Sequence, residues 1–181
     1  METDQLRIEY LPLATIQKAP RNPKQHDLGI LHRSLGRFGF VAPILLDERT
    51  GRLVAGHGRV DTLVQMRDLG QPPPERIVAR DGDWFVPVIR GVTFRDGTEA
   101  EAYLIADNRT VELGGWDDAV LVESLQALAA GGDGLLDGIG YEADDLDALI
   151  AGLAAPLPDA PAPELDRAEA LCQQWGVERG Q

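Results

Sequence analysis

Gly56-His57-Gly58-Arg59 gathers the residues of this chain best suited to chemistry. Two glycines one residue apart let the backbone take angles that other residues resist, and leave room for a ligand to approach the main chain. Leu53-Val54-Ala55 precedes them, and Val60 and Leu63 follow. The pattern predicts a short strand, a tight corner and the first turn of a helix. A helix start offers free N–H groups and a partial positive charge, which suits an anion such as phosphate. Arg59 adds a permanently charged fork at the same place. Plain tight turns share this pattern, so that alternative stands beside the anion cradle. For Arg59 the alternative is a surface salt bridge. His57 has three readings: a first-turn residue, a catalytic base, or a side chain small enough to fit.

The surrounding elements follow from periodicity and punctuation. Leu6–Leu13 reads as a first strand, and Pro20–Asp27 as a turn-rich loop that includes Asn22. Asp27 is an N-cap for a helix with Leu28, Leu31, Leu35 and Phe38 on its apolar face, ended by Gly39. Ser34 and Arg37 lie on other faces of that helix and could face the ligand, with a buried helix position as the alternative for Ser34. Val41–Leu46 is the next strand, and Glu48–Gly51 is a hairpin-like turn into Leu53. The helix opened by His57 reaches about Leu69. A loop from Gly70 to Asp83 holds a short ordered piece near Arg76–Ala79, and Trp84–Ile89 is a strand that Pro87 marks as an edge or a bend. A helix runs from Thr98 to about Asn108. From Trp116 onward the texture is helical, with Leu121, Leu125 and Leu128 on one stripe and Leu146, Leu149, Ile150 and Leu153 on another. Trp84 and Trp116 read as core or domain-junction residues. Four prolines between Ala155 and Pro163 read as a linker before a last helix, Leu165–Trp175.

The fold class is therefore α/β (α+β), a front part of short strands with helices followed by an all-helical part. The expected units are 1–112, an acidic helical 113–154, and 155–181. At 181 residues there is enough chain for a real core. Cys172 is the single cysteine, which rules out an internal disulfide framework, and three scattered histidines make no familiar zinc spacing. No apolar run has the length of a membrane span and no signal peptide opens the chain, so a cytoplasmic protein is expected. Charge is uneven. Residues 1–95 carry 14 Lys/Arg against 11 Asp/Glu, and residues 96–181 carry 3 against 19. A polyanion should meet the front half, because phosphate neutralisation needs Lys and Arg. Glu142–Leu153 has acids and no base, a poor recognition helix for DNA and a better packing or partner-contact surface.

Several stretches, in order, resemble the N-terminal domain of the ParB/sulfiredoxin superfamily. They are Leu6–Leu13 with Asn22-Pro23, Leu31–Gly39, Pro43-Ile44, Val54–Arg59, Val86–Ile89 and Ala106-Asp107-Asn108-Arg109. The resemblance covers about two thirds of the chain and implies that its strands form a small mixed sheet. Ala106–Arg109 followed by Trp116-Asp117, and the ending Gln174–Gln181, are most similar to the phage and mobile-element variant often fused to a DNA methyltransferase. No methyltransferase motif is present, so that activity is not expected. Members of the superfamily bind nucleotides at the glycine corner. Partition ParB proteins switch a DNA clamp with CTP, sulfiredoxins use ATP, one branch phosphorylates serine, and some relatives are described as nucleases.

The resemblance implies a nucleoside triphosphate (CTP or ATP) with Mg2+. Gly56, His57, Gly58 and Arg59 would surround the phosphates, with Asn22, Ser34, Arg37, Asn108 and Arg109 near the ligand. Asp107 would be the magnesium ligand, with bracing Arg109 as its alternative, and His57 and Asp107 are the candidate catalytic groups. The sulfiredoxin cysteine position falls at His57, which excludes that reaction. The ParB glutamate-arginine pair after the first glycine is replaced by His57-Gly58, so selectivity for CTP is not implied. The expected partners are the nucleotide and DNA, directly or through another protein, with a homodimer as a further possibility and no membrane. Three functions stay open: a nucleotide-binding module in DNA transactions or modification, a nuclease or phosphotransferase on the same pocket, and a protein-interaction module working through the acidic helices.

Overall fold

A computed structural model of the chain describes residues 5–132, 134 and 136–154. The expected linker and terminal helix, 155–181, lie outside the described residues. The strands are β1 (Arg7–Pro12), β2 (Ile44–Asp47), β3 (Leu53–Ala55), β4 (Val78–Arg80) and β5 (Asp83–Val92). The helices are α1 (Leu28–Phe38), α2 (His57–Asp68), α3 (Gly97–Leu113), α4 (Asp118–Ala130) and α5 (Ala143–Ala154).

The five strands form one mixed sheet in the order β1-β5-β2-β3, with β4 also on β5. β2 runs parallel to β5, and the other pairs are antiparallel. Alternation along the strands divides the core between the two faces. Ile44, Leu46, Leu53, Val86 and Val88 pack with Leu35 of α1 and with Val60, Leu63 and Met66 of α2. Leu45 and Val54 face the other way, onto Leu104 of α3. The sheet therefore holds α2 and α3 on opposite faces, with β3 and the glycine corner between them.

Caps bound the helices as their residue types require. Asp27 accepts the Ile30 N–H at 3.0 Å, Asp96 accepts that of Glu99 at 2.9 Å, and Asp117 that of Val120 at 3.1 Å. The Gly39 N–H closes α1 on the Leu35 carbonyl at 3.0 Å. A buried carboxylate organises the turn between β2 and β3. Asp47 accepts from the Thr50 hydroxyl at 2.7 Å and from the N–H groups of Arg49, Thr50 and Phe94.

Several sequence expectations are corrected. The strand expected at Val41–Leu46 begins only at Ile44, because Pro43 precedes it and Val41 and Ala42 are exposed. Phe38 is 41 % exposed, its ring covered by the Arg37 guanidinium at 4.7 Å instead of by the core. The ordered piece after the triple proline is β4, at 78–80.

Pro87 is not at an edge. It lies in β5, paired with Tyr10 on one side. Phe85 pairs with both Pro12 of β1 and Val78 of β4, so β4 shares the other edge of β5 with β2. β4 takes residues 83–85 and β2 takes 88–92, and Pro87 falls between the two ladders.

α3 continues five residues beyond Asn108, so residue 112 falls in its last turn. Trp116 is 71 % exposed and is not a core residue, whereas Trp84 is buried. In α4 it is Val122 and Leu125 that are buried, with Leu128 exposed. α5 buries none of its residues: Leu146 and Leu149 are half-covered by α4, and Ile150 and Leu153 are exposed.

Candidate functional site

The corner forms as the sequence predicts. β3 ends at Ala55, Gly56 takes φ 98° and ψ 20°, and α2 begins at His57. Both glycines are fixed by close neighbours. A Cβ on Gly56 would lie 2.6 Å from Ile44 Cγ2 and 3.0 Å from Arg59 Nη2, and one on Gly58 would lie 2.6 Å from His26 Cγ and 2.8 Å from Leu31 Cδ1. Ordinary carbon contacts are about 3.5–4.0 Å, so neither position has space for a side chain.

Arg59 folds back over this corner. Its Nη2 donates to the Pro43 carbonyl at 3.3 Å, and its Nε is buried with no partner among the described residues. Burial disfavours its charge and pulls its pKa down from the ordinary value, while the Asp107 carboxylate on α3 offsets part of this. A half-buried guanidinium with an orphaned donor is costly unless something anionic completes it. Beside it lies a cavity of about 430 Å3 walled by Leu31, Leu35, Phe38, Val41 and Ala42, with Ser34 as a polar group in the wall.

His57 is 5 % exposed, and its Nε2 accepts the Ala19 N–H at 3.3 Å. Burial depresses its pKa, with Asp61 opposing the shift and His26 and Lys18 reinforcing it. The ring is therefore held neutral and ties α2 to the loop before α1. His26, packed on Gly58, is likewise pushed down by burial, and Asp61 again opposes. Asn22 accepts the Lys24 N–H at 3.1 Å in a short side-chain turn.

The second group of expected residues lies on α3. Asp107 is exposed and faces Arg59 electrostatically. Tyr103, one turn earlier, hydrogen-bonds to Asp107, and its pKa is raised by burial and by that carboxylate. Asn108 donates to the Leu104 carbonyl at 2.9 Å, and Arg109 pairs with Glu112 at 3.3 Å. Asn108 and Arg109 line a smaller cavity with Pro23 and Lys24. Arg37 donates to the Asp137 carbonyl and stacks on Phe38, at the junction with the rear helices.

The fold thus gathers Gly56, His57, Gly58, Arg59 and Ser34, with Asp107 opposite. It places Asn108 and Arg109 further along α3, Asn22 in the loop before α1, and Arg37 at the junction with the rear helices. Among the described residues no group of three or more His, Cys, Asp or Glu side chains is arranged to hold a metal ion. Sequence reasoning missed the Pro43 carbonyl, the apolar wall and Tyr103. Only Tyr103 had a local signal, its i,i+4 spacing from Asp107.

No family model matches the sequence, and no curated protein matches it. Among solved structures the chain is similar to a C-terminally truncated chromosome-partitioning protein ParB from Caulobacter crescentus, crystallised with CTP-gamma-S. The identity is 17 %, the TM-score is 0.54, and the match covers 96 % of this chain and 88 % of that one. The fold is ParB-like. Among the described residues no helix is long and apolar enough to cross a membrane.

Proposed function

We propose that this chain is a ParB-like nucleotide-binding module that takes a nucleoside triphosphate with Mg2+ at the start of α2 and serves DNA transactions. The observation that carries the reading is Arg59: a guanidinium drawn in over a glycine corner, with its Nε buried and unpartnered among the described residues. Phosphate oxygens are its natural complement, and the free N–H groups of the first turn of α2 point the same way. The adjoining cavity of about 430 Å3, largely apolar with one serine, suits a base and its sugar.

The residues present also fit a magnesium ion held largely by the ligand. Mg2+ takes one or two carboxylates and completes its shell with phosphate oxygens and water. Asp107 is the carboxylate that faces Arg59. When bound, the ion would neutralise phosphate charge. In this reading His57 positions the loop that closes the site. The solved ParB structure, with its CTP analogue, supports the nucleotide class. The resemblance of Ala106–Arg109 and of the chain's ending to the phage and mobile-element variant supports a regulatory or recognition role in a DNA modification system.

The test is calorimetric titration of CTP, ATP and GTP, each with magnesium, against the wild type and Arg59→Ala. Removing charge-assisted hydrogen bonds worth about 1.5–3 kcal/mol weakens binding by roughly 10- to 150-fold. Equal affinity in the two proteins, or no binding of any triphosphate, refutes the reading. Incubation with plasmid, with and without a chelator, shows whether the same pocket cuts DNA.

A further inference from the structure

α5 is amphipathic yet has no buried residue: α4 half-covers Leu146 and Leu149, and Ile150 and Leu153 stay exposed. Asp145, Ala148, Leu149, Gly152 and Leu153 form one stripe along it, at the spacing of a single helical face. Together with Asp118 at the start of α4 and Tyr141 before α5, they line a groove of about 470 Å3. Ala148 and Gly152 keep the middle of the groove shallow in side chain, so another helix can come close there. Leu149 and Leu153 supply the apolar wall, and Leu153 is 49 % exposed. The rim is acidic. Its carboxylates, Asp118 and Asp145, make no ion pair among the described residues.

We propose that the groove between α4 and α5 docks a basic amphipathic helix of a partner protein. Charge selects this occupant over the two others at hand. The chain's own residues 155–181 carry five acids and two bases, a net charge that does not complement the rim. The α4–α5 face of a second copy carries the same acids and complements it no better. A helix with leucines on one side and lysines flanking them satisfies both the apolar wall and the two carboxylates, the helix-in-groove mode of recognition. The groove makes no use of Arg59 or the glycine corner, so it stands or falls independently of nucleotide binding.

The probe is a fluorescein-labelled 18-residue Leu/Lys peptide with leucines at positions i, i+3, i+4 and i+7, set against a scrambled peptide of the same composition. Anisotropy is measured on the full chain in 150 mM salt. The expected result is binding of the amphipathic peptide at least tenfold tighter than the scrambled one. Leu153→Asp, and the double variant Asp118→Lys/Asp145→Lys, should each lose tenfold or more. The charge-matched Asp68→Lys/Glu75→Lys, at exposed positions on the front half, should stay within twofold. Unchanged circular dichroism establishes that the variants fold, since every substituted side chain is exposed. Equal binding of the two peptides, or insensitivity to the α4–α5 substitutions, overturns the proposal. So does a Leu153→Cys protein that a bismaleimide links to its own Cys172, which would put the tail in the groove. A concentration-dependent dimer dissolved by Leu153→Asp would put a second copy there and overturn it equally.

Discussion

Gly56→Ala tests whether the corner is a built site or an ordinary turn. Two penalties combine at this position. At φ 98° an L-residue is in the left-handed region, which costs roughly 1–2 kcal/mol. The new methyl also lies 2.6 Å from Cγ2 of Ile44, a fully buried side chain in the first core layer with no room to retreat. Overpacking of this kind costs about 1–3 kcal/mol. Together the loss is about 3 kcal/mol. Gly51→Ala is the internal control, because Gly51 has φ 66° and nothing within 4 Å of an added Cβ. Only the backbone term of about 1 kcal/mol applies there. Urea unfolding of both variants at pH 7 should therefore separate them by about 2 kcal/mol, or roughly 4–8 °C in Tm for a domain of this size. Because the same methyl lies 3.0 Å from Arg59 Nη2, nucleotide affinity should fall in Gly56→Ala and hold in Gly51→Ala. Losses of stability equal to within about 0.5 kcal/mol would show that Ile44 can move aside, and the argument for a tightly fitted corner would fail.

Two further predictions concern pH. Burial pushes the Asp47 carboxyl up, but its hydrogen bonds from Thr50, Phe94 and Arg49 outweigh that and leave its pKa below 3.8. Its contribution is then complete above the unfolded value and is lost as pH falls through the folded one. Asp47→Asn should cost about 2 kcal/mol at pH 7 and flatten the fall in stability below pH 4, read from urea midpoints across the acid range; an unchanged acid slope would contradict it. For His57, burial lowers the folded pKa below 6.5, so the stability it contributes is complete above 6.5 and declines as pH falls. His57→Gln keeps an acceptor for the Ala19 N–H and removes the titration, so the loss of stability between pH 7 and 5 should shrink. His26, Asp61 and Lys18 face the ring and remain in the variant, so an undiminished loss assigns the effect to them.

What could be read from the sequence is what local physics decides. Asp27 caps α1 three residues upstream of its donor, where the apolar periodicity begins. The strand–corner–helix at 53–60 is likewise a matter of adjacent residues. Pro87 misled because its tolerance depends on which strands reach β5 and where they stop, and that is settled by β4 and β2 rather than by its neighbours in the chain. α5 misled for a different reason: periodicity names the apolar face of a helix without naming what covers it. Arg59 shows both sides within one residue. Its type and place beside the glycines were legible, whereas its turn toward the Pro43 carbonyl sixteen residues away was not. His57 is the same case, since its acceptor role depends on Ala19, thirty-eight positions earlier.

Those long-range ties converge on residues 18–26, which the sequence offers only as a polar, proline-broken loop. Lys18 pairs with Asp61 and the Ala19 N–H meets His57, both on α2. Arg21 pairs with Glu101 at 2.7 Å and Lys24 with Glu112 at 2.6 Å, both on α3. His26 then returns to α2 against Gly58. Each exposed ion pair is worth at most about 1 kcal/mol, so no single one holds the loop. Their arrangement matters more than their sum, because the loop crosses between the helix that carries Arg59 and the helix that carries Asp107. Fixing both ends sets the spacing of a guanidinium and a carboxylate that come from opposite faces of the sheet. A site spaced in advance loses less conformational freedom when an anion enters. Under the proposed function, the Nε of Arg59, buried without a partner among the described residues, is the donor that such an anion would meet.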